Sequence, residues 1–94
     1  MSDLDELRAR RLANLDDLVH LMASLQGQDH SEGLPPDLRA RLEEEVEHAY
    51  EQWGEDQALG ADSSAIPFDL QRLFVTRREI DRRILEASAA DKLN

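Results

Sequence analysis

"RLEEEVEHAYEQWGED", residues 41–56, brings six glutamates, a histidine, a tyrosine and the only tryptophan into sixteen positions. At 100° per residue, Leu42, Val46, Ala49 and Trp53 fall on one line, spaced by three or four. Glu44, Glu47, Glu51 and Glu55 gather on the other side, and Glu43 and Glu45 flank the apolar line without joining it. His48 lies about 130° from the apolar centre, on the border of the acids. The stretch is therefore predicted to be a helix with one dry and one solvated side. Pro35-Pro36-Asp37 opens it, because proline tolerates the first turn, and Gly54 is its expected stop, giving a helix over 36–53.

The same period appears on both sides of this segment. Leu4, Leu7, Leu15, Leu18, Met22 and Leu25 share a face, widened by Leu12 and Val19, over an expected helix 3–26. Ser2 is its predicted cap and Gly27 its stop. A third helix is expected over 67–90, with Leu70, Leu73, Phe74, Ile80, Ile84 and Leu85 as its stripe. Residues 54–66 between helices two and three are polar, suited to a loop or to one extra helical turn. No strand-like alternation or internal repeat occurs. The expected class is all-α: a single small domain, residues 1–94, made of a helical hairpin plus a third helix.

Composition sets the limits on function. The 94 residues carry 21 acids against 11 Lys and Arg, a net charge of −10. Leu, Ile, Val and Phe total only 23, a thin core for a self-repelling chain, so a partner or a second copy is expected. There is no cysteine, which removes disulfides, thiolate nucleophiles and Cys-bound metals. MSDLDELRARR has no apolar stretch behind it and is not read as a signal peptide. Nowhere do eighteen apolar residues run together, so no membrane span is expected and the expected location is cytoplasmic. Strong acidity also argues against direct nucleic-acid binding by phosphate neutralisation.

Glu45-Val46-Glu47-His48 is a Glu-x-x-His, whose i, i+3 spacing points two ligands the same way, as in di-iron bundles. "EEEVEHA" resembles the second metal-binding helix of encapsulated ferritin-like proteins, helical hairpins that assemble into rings. That resemblance implies further carboxylates and a tryptophan on the first helix. The comparable stretch here, "LMASLQGQDH", has Ala23, Ser24 and Gln26 where acids would be wanted, and His20 lies opposite the Leu15/Met22 stripe. "LDELRAR" is similar to the first helix of the small helical chorismate mutases. That family also uses a lysine and further arginines, and helix two here offers acids. The four glycines are scattered at 27, 33, 54 and 60, and His20, His30 and His48 share no face. No catalytic residue, metal site or cofactor is expected.

All four aromatics, Tyr50, Trp53, Phe68 and Phe74, fall within residues 50–74, either as a local core or as a binding hot spot. Trp53 and Phe74 sit on apolar stripes, whereas Tyr50 is off-centre and is the better candidate for a surface contact. Arg77 interrupts the stripe of helix three and Arg11 that of helix one. Each can lay its stem over the core with its head in water, or pair with an acid across a helix seam. For Arg77 that acid could be Asp81 of a second copy. The expected function is a non-catalytic protein–protein interaction module: a small acidic helical adaptor, regulator or inhibitor that also forms a homodimer. The expected contact residues are Tyr50, Trp53, Phe68, Leu73, Phe74, Arg77, Ile80 and Ile84. Two alternatives are a ferritin-like metal hairpin using Glu45 and His48, and an acidic surface that imitates nucleic acid.

Overall fold

The computed structural model describes residues 3–27, 33–60 and 66–93, with side chains up to residue 89. Three helices, and no strand, occur among the described residues: α1 (Asp3–Leu25), α2 (Pro36–Ala58) and α3 (Phe68–Leu93). Acids occupy the first turn of each, where they face the positive end of the helix dipole. The expected cap Ser2 and the residue His30 lie outside the described residues. Gly27 closes α1 at φ 72°, its N–H donating to the Ser24 carbonyl at 3.1 Å. Pro36 begins α2 as expected, with no side-chain cap.

Gly54 does not end α2. The helix passes through it for one further turn, to Ala58, and stops at Gly60, whose φ is 71°. A single helical glycine costs only about 1 kcal/mol, and the residues after it, Glu55, Asp56, Gln57 and Ala58, all accept helix. The αL position is needed at Gly60, not at Gly54.

α1 and α3 lie antiparallel: Asp17 and Leu21 face Leu73 and Asp69, while Leu7 and Arg10 face Ile80 and Arg83. α2 covers one side of this pair, crossing from α1 toward α3. Its first half meets α1, with Arg39 Nη1 donating to Asp16 Oδ1 at 2.9 Å and Gln26 Nε2 to Glu45 Oε2 at 2.7 Å. Its second half reaches α3 through large side chains, Tyr50 and Trp53. Leu18, Val19 and Ala23, Leu42, Val46 and Trp53, and Leu70 and Phe74 form the buried core. The result is flat, 48 × 36 × 18 Å, with a Cα radius of gyration of 15.0 Å. A compact domain of this length would measure about 12 Å.

Three residues placed on apolar stripes from the sequence are not covered: Leu12 is 67% exposed, Leu25 50% and Leu85 71%. Leu85 lies beyond Asp81 and Leu12 beside Arg11, at the end where Tyr50 makes its contact with Asp81. Periodicity placed them on apolar stripes, and the fold leaves these positions of the stripes uncovered. Among the described residues no helix is long and apolar enough to cross a membrane.

Candidate functional site

On the α2 side, the aromatic rings and the charged residues of the stripes converge. Tyr50 stacks on Trp53 at 6.0 Å between centroids, and Phe74 packs on both at 5.7 and 5.6 Å. Arg77, fully buried, donates to Glu47 and lays its guanidinium 5.1 Å from the Tyr50 ring centroid. Arg78 sits 4.9 Å over the Trp53 ring. One turn further on, Asp81 uses both oxygens. Oδ1 accepts from Arg11 Nε at 2.7 Å and Oδ2 from the Tyr50 hydroxyl at 3.4 Å. Burial, and then the Asp81 charge, push the Tyr50 hydroxyl above its usual pKa of 10.0. The group ties all three helices together.

These contacts revise several expectations. Tyr50 is not a free surface residue; it is half-buried at the centre of the cluster, because α3 comes up beside the flank of α2. Glu47 is half exposed on the acidic side as expected, and in addition α3 delivers Arg77 to it. Both arginines pair across helix seams within one chain, and Arg77 does not reach water. Asp81 is engaged by Arg11 and Tyr50 of its own chain and is not the partner of Arg77. Trp53, Phe74, Arg77 and Ile80 are buried, Leu73 packs against the core, and Ile84 is half-buried. Of the expected contact residues only Phe68, at 74%, is openly exposed.

Among the described residues no helix lies over the other side of the α1/α3 pair. Three shallow hollows follow one another along the seam, of about 360, 410 and 470 Å3. Leu21 and Leu73 contribute to the first, Leu7 and Ile80 to the second, and the third runs from Asp3 and Glu6 to Arg83 and Glu86. The rim is charged with both signs. Arg72 and Asp69 stand at one end, Arg10, Glu79 and Arg83 at the other. Beside it, on the outer face of α3, Phe68 and the 47% exposed Val75 border a further hollow of about 350 Å3 with Arg72 and Thr76. Arg72, Val75, Thr76 and Glu79 are not among the expected contact residues, because they lie off the longer apolar stripe. The available signal was the pair Phe68 and Val75, seven residues apart on the opposite face.

Glu45 accepts a hydrogen bond from Gln26, and His48 is exposed on the outer side of α2. Among the described residues, no group of three His, Asp or Glu side chains is placed to hold a metal ion. Comparison with protein-family models, with curated proteins and with solved structures gave no match to this chain.

Proposed function

We propose that the chain is a non-catalytic protein–protein interaction module, a small acidic helical adaptor, regulator or inhibitor working in the cytoplasm, completed by association through the side of the α1/α3 pair that α2 leaves bare. The observation that supports this reading is the exposure of Phe68 and Val75 beside a seam floored by Leu7, Leu21, Leu73 and Ile80 and rimmed by both signs of charge. Apolar groups ringed by mixed charge suit a protein partner, whose own ion pairs and apolar side chains can match them. A two-layer molecule with one uncovered layer would gain the burial it lacks by docking a further helix there.

The test is site-specific photocrosslinking in the cell. A photoreactive residue at position 75 should yield a discrete protein adduct, and one at position 48, on the acidic outer side of α2, should not. The reverse pattern would move the working face to the acids and favour imitation of nucleic acid. The adduct at 75 should disappear in Phe68→Asp, whose exposed position leaves the fold intact.

A further inference from the structure

We infer that the occupant of the bare side is a second copy of this chain, docked with its α3 antiparallel to the first about a two-fold axis between Val75 and Thr76. The inference rests on the interaction reading above and names its partner. Phe68, Arg72, Val75, Glu79 and Arg83 follow one another at steps of three or four. They therefore stay within about 80° of one another on the wheel, as one continuous face. Of these, Arg72, Val75 and Glu79 border the hollows described above, and Arg83 stands on their rim.

Charge selects both direction and register. With the axis between Val75 and Thr76, Arg72 of each copy is level with Glu79 of the other, and this pair forms twice. Arg83 of each copy comes within one residue of the level of Asp69 of the other, on the seam side where both line hollows. Val75 meets Val75 and Thr76 at the centre, and Phe68 lies across the Arg83 stem. Parallel helices in register would set Arg72 against Arg72, Glu79 against Glu79 and Arg83 against Arg83. Sliding the antiparallel pair by a heptad one way opposes Glu79 to Glu79, and the other way Arg72 to Arg72. Like charges face to face oppose both alternatives, so the arrangement is specified as well as permitted.

The groups involved are free to exchange their present contacts. Glu79 is held by Arg82 and Arg83 of its own helix, in pairs whose side chains are 45% exposed or more. Arg72 lies 6.0 Å over the Phe68 ring on the open surface. Exposed pairs of this kind are worth little, so replacing them across an interface costs little. A two-fold dimer repeats each favourable contact and closes on itself, leaving no sticky end. It also covers Phe68 and Val75, the exposed apolar side chains of this face.

Sedimentation equilibrium on the full chain tests this, with melting curves as the fold control. Wild type should dimerise in the micromolar range. Arg72→Glu and Glu79→Arg should each weaken the dimer by about tenfold or more, since each creates two like-charge contacts. An equimolar mixture of these two variants should associate as strongly as wild type, because every level then pairs opposite charges again. Melting temperatures of both variants should stay near wild type, as both sites are on the surface. A monomeric wild type, a dimer indifferent to both reversals, or a mixture no stronger than its components would overturn the inference. Should that happen while Phe68→Asp still removes the crosslinked adduct, the interaction reading stands and only the second copy is withdrawn. If the adduct also survives Phe68→Asp, both fall.

Discussion

The two sides of the α1/α3 pair are built from similar residue types and put to opposite uses. Under α2, apolar side chains are buried and each arginine that points inward has an acid waiting: Arg77 has Glu47 and Arg11 has Asp81. On the far side, Leu7, Leu21 and Ile80 line open hollows, and Arg72 has no carboxylate from another helix paired to it among the described ion pairs. What separates the two sides is α2. It brings the bulk, Trp53 and Tyr50, and the counter-charge, Glu47, that turn one face of a two-helix pair into an interior. The other face has the same needs and, among the described residues, no helix to meet them.

Substitutions should therefore separate the two sides by what they damage. The largest effect belongs to the aromatic core: Trp53→Ala or Phe74→Ala should cost about 3–5 kcal/mol. In a 94-residue chain with a thin core that is enough to abolish a cooperative thermal transition seen by circular dichroism. Next comes the buried cation. Glu47→Ala leaves Arg77 in the interior with Nε and Nη1 already lacking a hydrogen-bond partner among the described residues. Removing the remaining acceptor should cost about 2–3 kcal/mol by urea denaturation, discounted because Glu47 itself is half exposed. Arg77→Met should cost less than Glu47→Ala, because it removes the charge together with its need for a partner.

A smaller effect is set by pH. Because the Tyr50 hydroxyl is raised above 10.0 in the folded chain, its contribution is fully present below pH 10. Above that, the unfolded chain ionises first, and stability falls as pH rises toward the folded value. Tyr50→Phe should remove this alkaline loss, measured as a flatter dependence of melting temperature on pH from 9 upward. Asp16 works in the opposite direction. Its hydrogen bond from Arg39 lowers its pKa below 3.8, so its contribution is present above that value and lost as pH falls through the folded one. The smallest effect on stability belongs to the bare side: Phe68→Asp and Val75→Asp should stay within about 0.5 kcal/mol of wild type in urea while weakening association.

Much of the fold was legible because helix period is written locally. Pro36 and Gly27 marked their helix ends correctly, and the core residues Leu18, Leu42, Val46 and Phe74 all came from their stripes. Gly54 misled because a glycine stops a helix only where the chain turns left-handed, and the turn came at Gly60. What the pattern could not carry was the meeting of helices. The pairing of Arg77 with Glu47, thirty residues apart, and the recruitment of Tyr50 depend on the angle at which α2 crosses α3. The same blindness hid the bare side. The stripe of six residues from Leu70 to Leu85 outweighs two apolar side chains at Phe68 and Val75, yet Phe68 and Val75 stay open.

The most direct test uses the absence of cysteine in the chain. Single-cysteine variants at Val75 and at His48 are both solvent-reachable in one copy, so their thiol-labelling rates can be compared from low to high micromolar protein. Labelling should be fast at both sites in dilute solution, and the rate at position 75 should fall as concentration rises while that at position 48 stays constant. Labelling at 75 that is independent of concentration, or protection that develops at 48 instead, would contradict docking of a second copy on the bare side.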